Sequence, residues 1–366
     1  MADGSTGQST AGGSGRALAA VILAAGRSTR MKTDLPKVMH ELCGRPMLAY
    51  VLDACRAAGI STMYVVVGFG HAAIRAAFGR EPDVRFVTQS EQKGTGHAVM
   101  MCEAELDGFS GDVVVIAGDM PLVRPETLRD LVDGHRATGS AASLATTILD
   151  DPTSYGRIVR DASGEFERIV EHRDCDAEQL TLHEVNPSYY CFDWQALRGA
   201  LDRISPDNAK GEFYLTDALA ILRSDGGTVR ASTVVPAADA VGINSRVDLA
   251  AVGRLMQQRI QTRWMEDGVT IVAPESTWID SRARIGRETV IRPFSCIEGR
   301  ATIGSGCSIG PYAFVQDGAV VEDGAAVGPG ALSAFDATTR QGGRSRNGNG
   351  GEKTPVVRRP PAQAGC

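Results

Sequence analysis

This sequence has no pair of cysteines spaced as a metal or redox motif, no apolar run long enough to span a bilayer, and no surplus of positive charge. Each absence closes a class of function. The eight cysteines (43, 55, 102, 175, 191, 296, 307 and 366) are scattered. That pattern suits reduced thiols packed as small core residues better than a disulfide framework or a zinc site. A membrane-spanning helix needs roughly 18 or more consecutive apolar residues. The stretch ALAAVILAA at 17–25 is far shorter, follows a Gly/Ser/Thr leader holding one Arg, and runs straight into a Gly-Arg-Ser-Thr-Arg turn. It reads as a strand rather than a signal peptide, and a cytoplasmic protein with no membrane insertion is expected. A net charge of −6 speaks against a nucleic-acid binder, so any basic patch must be local. No Ser–His or Cys–His pairing marks a nucleophile with its base.

What is present is ordinary globular material, 43% hydrophobic and 22% charged over 366 residues, enough for two domains. Residues 1–16 are poor in apolar side chains and read as a disordered leader. From Ala17 unbroken apolar runs alternate with amphipathic stretches: AAVILAA, then PMLAYVLDACRAAG; STMYVVVG, then HAAIRAAFG; DVVVIAGD, then PETLRDLVDGH. Such alternation predicts a doubly wound, Rossmann-like α/β domain with a mostly parallel sheet, over 17–245. Ligands in that architecture bind beyond the carboxyl ends of the strands. Beyond about residue 140 extended segments mix with helical ones, and 246–267 reads as a linker helix. Then the period changes. Ile285, Ile291, Ile297, Ile303, Ile309, Val315, Val321 and Val327 follow one another every six residues, which predicts a short parallel β-helix of hexapeptide repeats over 268–335. Two to three coils are expected, each touching mainly its neighbours. Residues 336–366 lose all periodicity and read as a disordered tail.

Three loops fall at predicted strand ends. The first lies in VILAAGRSTRMKTDLPK (21–37), where Arg27, Arg30, Lys32 and Lys37 surround the single acid Asp34. Gly26 permits a close backbone approach, amides opening a following helix could bind phosphate, and Arg30 and Lys37 add mobile cations. The alternative is a solvated basic turn. The second runs from Gln89 to His97 through Gly94-Thr95-Gly96. Its glycines would let the chain pack on a flat base while Gln89 offers donor and acceptor to the base edge; a plain turn is the alternative. In the third, Asp119 directly follows VVVIAG. A carboxylate beside phosphate calls for a bridging divalent cation, and magnesium often takes one or two protein oxygens plus substrate phosphates. A cap for the next helix is the other reading.

Together LAAGRSTRM (23–31), LPK (35–37), Gln89 with GTGHA (94–98), GDMPL (118–122), YGRI (155–158), EHRD (171–174) and GINSR (242–246) resemble the uridyltransferase domain of the bacterial bifunctional N-acetylglucosamine-1-phosphate uridyltransferase family, GlmU. The likeness covers about 18–265 and continues into the coils. It implies a nucleotide-diphospho-sugar transferase fold with a left-handed β-helix. It also implies that Leu23, Ala24, Ala25, Gly26, Lys37, Gln89, Gly94 and Thr95 hold the nucleotide, and that Arg30 and Lys37 act catalytically on the triphosphate. Asp119 and Asn244 would hold Mg2+, and Gly156, Glu171, Asn186 and Asn244 would line the sugar side. This sequence departs from the family pattern at Ser28, which stands where a second loop glycine is usual, and at Ala117. It departs again at Asn186-Pro187-Ser188, where the family has Asn-Thr-Gly.

The implied reaction is UTP plus N-acetylglucosamine 1-phosphate giving UDP-N-acetylglucosamine and pyrophosphate, by in-line attack on the α-phosphorus. It would feed cell-wall peptidoglycan synthesis. Acetyl transfer, which relatives perform on later coils and an adjoining subunit, is expected to be absent, while a homotrimer through the coils is allowed. The alternatives are another sugar-1-phosphate nucleotidyltransferase, a non-catalytic subunit that binds nucleotide sugars, or a hexapeptide acyltransferase.

Overall fold

The structure is a computed structural model that describes residues 16–27, 29–329 and the backbone of 332–333. Residues 1–15 of the leader expected to be disordered, the tail at 336–366, and Ser28 lie outside the described residues, while Arg16 is described and pairs with Asp112 at 3.2 Å. The chain divides into two compact units, the first built from 1–29, 33–37 and 51–242, the second from 30–32, 38–50 and 243–366. Along the sequence come β1 (Ala17–Ala24), a small hairpin β2–β3 (Glu41–Leu42 and Arg45–Pro46), α1 (Met47–Ala57), β4 (Met63–Val67) and α2 (His71–Phe78). Next are β5 (Val84–Thr88), α3 (Thr95–Met100), β6 (Gly111–Ala117), α4 (Pro125–Ala137), β7 (Ala142–Ile148), β8 (Gly156–Arg160) and β9 (Phe166–Val170). Then follow β10 (Glu184–Asp193), α5 (Trp194–Leu201), α6 (Leu215–Ser224), β11 (Val229–Thr233) and α7 (Arg246–Glu266).

In the first unit nine strands form one sheet in the order β11-β7-β10-β6-β1-β4-β5, with β8–β9 branching from β10. Strand β1 pairs in parallel with β4 and β6, while β10 runs antiparallel to both β6 and β7. The apolar runs that predicted strands bury both faces. Val21, Val66, Val113, Val115 and Phe192 join α3, α5 and α6 in one core cluster. Their alternating neighbours Ala20, Ile22, Val65, Val114 and Cys191 are also at most 0% exposed, which only a sheet covered on both sides requires.

In the second unit two-residue strands repeat around a parallel β-helix. The first coil holds β12 (Thr270–Ile271), β13 (Trp278–Ile279) and β14 (Arg284–Ile285), and the second β15 (Val290–Ile291), β16 (Cys296–Ile297) and β17 (Thr302–Ile303). The third holds β18 (Ser308–Ile309), β19 (Phe314–Val315) and β20 (Val320–Val321), and β21 (Ala326–Val327) with β22 (Leu332–Ser333) opens a fourth. Every third strand stacks on its predecessor, Ile279 on Ile297 and Ile297 on Val315. The described stack thus exceeds the expected two to three coils. Within the first coil only β12 escapes the periodicity, because Ile271 precedes Ile279 by eight residues rather than six. All eight aliphatic positions of the repeat are buried, each worth roughly 1.5–3 kcal/mol of apolar burial.

The first coil has no strand beneath β13. Gln257 of α7 takes that place: its Nε2 donates to the Ile279 carbonyl at 2.7 Å and its Oε1 accepts from the Ile279 N–H at 3.0 Å. One turn on, Gln261 donates to the Thr277 carbonyl at 2.7 Å. Side-chain amides thereby satisfy an edge that would otherwise template pairing. Among the described residues no helix is long and apolar enough to cross a membrane.

Candidate active site

In the first unit the loop after β1 turns through short 3-10 segments at Thr29–Met31 and Lys37–Met39, and the next α-helix is α1, starting at Met47. The α-helix expected to open directly after this loop is therefore not formed. Three cations of the loop have these surroundings in their own units. The Arg27 guanidinium lies 4.9 Å from the centroid of the Phe69 ring, Lys32 is exposed, and Lys37 Nζ pairs with Asp119 Oδ2. In the second unit Arg30 Nη2 donates to Asn244 Oδ1 at 2.9 Å.

Asp119 stands just past β6, where the Gly118 N–H donates to the Leu23 carbonyl at 2.9 Å. Its side chain and that of Lys37 are each 16% exposed. The helix that follows is capped at Arg124, not at Asp119, so the capping alternative is removed. The Asp119 carboxylate instead faces the Lys37 ammonium.

The second loop folds against the segment 212–215. Gly94 has φ +109, and a Cβ there would fall 2.5 Å from the Phe213 carbonyl oxygen, so only glycine fits. Gly96 N–H donates to that same oxygen at 2.8 Å, Phe213 N–H to the Lys93 carbonyl at 2.7 Å, and Leu215 N–H to Thr95 Oγ1 at 3.0 Å. Gln89 is 3% exposed, and its Nε2 donates to the Gly94 carbonyl at 3.1 Å and lies 2.9 Å from His97 Nδ1. Its amide nitrogen thus braces the loop, leaving Oε1 as its polar atom for a base edge. Gln92, which sequence reasoning passed over, donates to the Ala25 carbonyl at 2.7 Å and so joins the first loop to the second. A lone glutamine in a polar stretch carries no periodic signal that could have found it. Leu23 and Ala24 lie on β1 itself, and Gly26 is exposed beyond it.

Three predicted sugar-side residues meet at one end of β8. Gly156 stands opposite Asn186 in the β8–β10 register. A Cβ on Gly156 would lie 2.9 Å from Ile169 Cγ2 and 3.5 Å from Glu171 Oε1. Asn186 is buried, donating to Tyr190 Oη at 2.6 Å and accepting from the Ser188 N–H at 3.0 Å. Burial, with Asp174, Asp217 and Glu212 adding to it against Lys210, holds the Glu171 carboxyl above its ordinary range. Ser188 adopts φ +69, which explains the family's glycine at this position. Pro187 sits where the β10–β7 register shifts, a bulge that spares its missing N–H.

Arg157, the next residue after Gly156, is 2% exposed. It donates through Nη1 to the carbonyls of Pro152 (2.7 Å) and Tyr155, and its Nη2 lies 3.4 Å from His172 Nδ1. Since a guanidinium only donates, that ring nitrogen is the acceptor. No carboxylate among the described residues pairs with it, and Nε is buried without a partner.

Asn244 lies in the second unit, its N–H donating to Asp248 Oδ2 at 3.0 Å just before the Ser245 capping box of α7. No cluster of three or more His, Cys, Asp or Glu suited to a metal occurs among the described residues. Within the first unit the Asp119 carboxylate is a hard oxygen donor of the kind magnesium takes, singly or in pairs, with water and phosphate oxygens completing its shell.

These features define a nucleotidyltransferase-type domain carrying hexapeptide coils. Residues 20–177 match the family of MobA-like NTP transferase domains, and 282–317 match the bacterial transferase hexapeptide repeats. Over three quarters of its length the chain is related to the bifunctional GlmU proteins. It is 48% identical to the "Bifunctional protein GlmU" of Geobacter metallireducens over 276 residues, 75% of this chain and 58% of that protein. With the protein of the same name from Heliobacterium modesticaldum it shares 45% over 278 residues, 76% of this chain and 60% of that one. The chain therefore spans less than two thirds of the length of these relatives. In fold it is similar to a UDP-glucose pyrophosphorylase crystallised with UDP-glucose (TM-score 0.55, 20% identity, 66% of this chain and 99% of that one).

Proposed function

We propose that the protein is a magnesium-dependent uridylyltransferase that joins UTP to N-acetylglucosamine 1-phosphate, releasing pyrophosphate. The observation that carries this reading is the shared rim of the first unit. Asp119 with Lys37, the bridged loops at Ala25 and 89–95, and the trio Gly156, Glu171 and Asn186 all lie at one end of the same sheet. The GlmU relationship supplies the chemistry of the two substrates.

In this reading the Gly94-Thr95 loop seats the base, and Lys37, with Arg30 assigned from the family pattern, offsets charge growing on the triphosphate. Glu171 and Asn186 orient the sugar so that its phosphate oxygen faces the α-phosphorus, and pyrophosphate departs on the opposite side. The attacking group is already anionic, so no general base is needed. Magnesium, held by Asp119 and by Asn244 as the family pattern assigns, would neutralise phosphate charge. A trimer through the coils is part of the same proposal, read out by light scattering.

The test is a pyrophosphate-release assay with a panel of nucleotides and sugar 1-phosphates. UTP with N-acetylglucosamine 1-phosphate should give the highest kcat/KM, and Asp119→Ala should lower turnover by about 10²-fold or more while the melting curve is kept. A different preferred pair would replace the substrate assignment, and near-normal turnover of the variant would remove Asp119 from the site.

A further inference from the structure

We propose that Arg157 is a positioning residue for the sugar-phosphate half of the site, acting as a staple across the two chain segments that present Gly156 and Glu171. This rests on the function proposed above. Gly156 is the first residue of β8 and Glu171 follows the last residue of β9, and these strands pair with Arg157 opposite Val170. The two site residues are thus one step beyond the Arg157–Val170 pair, where the β8–β9 ladder stops. Past that point, the guanidinium supplies the holding contacts. On the incoming side it binds the carbonyls of Pro152 and Tyr155, and on the outgoing side it reaches the ring of His172, which directly follows Glu171.

A planar fork with donors fixed in direction is required for this, because one group must satisfy acceptors on two separate segments at once. A buried guanidinium without a carboxylate is an expensive choice for stability alone, and an apolar side chain of similar size would fill the space. Its placement beside the sugar trio accounts for its presence. Because Arg157 contacts neither the loop at 89–97 nor Lys37 and Asp119 through any hydrogen bond or ion pair, nucleotide binding should be indifferent to it.

Arg157→Lys keeps the charge and removes the fork. On the full-length chain, KM for the sugar 1-phosphate should rise about tenfold or more, with KM for UTP within about twofold and kcat little changed. Amide exchange should quicken at 153–156 and 172–174 and stay unchanged at 89–97. His172→Leu, which deletes one acceptor, should raise the same KM by a smaller factor, and His172→Gln, which keeps an acceptor oxygen, should restore it. If Arg157→Lys fails to fold, the His172 pair decides the matter. An unchanged sugar KM, or equal rises in both KM values, overturns the staple while leaving the function standing. A wild-type chain that releases no pyrophosphate with any sugar 1-phosphate overturns the function and the staple with it.

Discussion

At the scale of single residues, two side chains occupy positions that stability alone would not select. Ser188 holds a left-handed backbone, which costs a residue with a Cβ roughly 1–2 kcal/mol, partly offset by its N–H bond to Asn186 Oδ1. Ser188→Gly relieves the strain but loosens the unfolded chain, so a net gain of about 0.5 kcal/mol is expected in urea denaturation. Lys37 is the second. Its ammonium holds the carboxylate assigned to the metal, so the two cations compete. Lys37→Met should cut turnover by about 10²-fold and yet tighten binding of Mn2+ alone, measured by electron paramagnetic resonance without nucleotide. Weaker Mn2+ binding in that variant would contradict the competition.

At the scale of elements, caps matter more than runs. The edge strand β13 depends on one α7 side chain for both its N–H and its carbonyl at Ile279. Gln257→Leu leaves both groups without partners in a buried edge, an expected loss of about 2–4 kcal/mol, read as an earlier melting transition of the coils. The pattern of apolar runs was legible in the sequence because strands buried on both faces leave no choice of residue. The six-residue repeat was equally legible wherever coils stack on coils. The opening strand β12 was not, because Ile271 stands eight residues before Ile279 rather than six. That 3-10 turns rather than an α-helix follow the loop after β1 was not legible either, because nothing local distinguishes a 3-10 turn from the start of an α-helix.

At the scale of the whole molecule, the site residues were named from scattered motifs, and the first unit explains why several of them belong together. Gly156, Glu171 and Asn186 are spread over thirty-one positions of sequence yet are register neighbours; Gln92 and Arg157 were invisible because their roles are made by tertiary contacts. A buried network at the far end of the sheet, His135 with Asp112, Arg16, Arg136 and Ser143, sets a pH limit on the fold. Burial lowers the His135 imidazole below its ordinary value, Asp112 opposes this in part, and Arg16 and Arg136 add to it. Neutral His135 is thus the folded form, so its stabilisation is complete above the usual imidazole value of about 6.5 and is lost as pH falls below it. The melting temperature should drop between pH 7.5 and 5.5, and less steeply in His135→Gln. The hairpin β8–β9 hangs from β10 as a side branch, outside the main path of the sheet. On the function proposed above, acceptor choice could therefore drift like an exchangeable cassette: grafting the matching hairpin of a relative with another sugar preference should shift acceptor choice while the loops at 25 and 89–95 keep their inherited wiring.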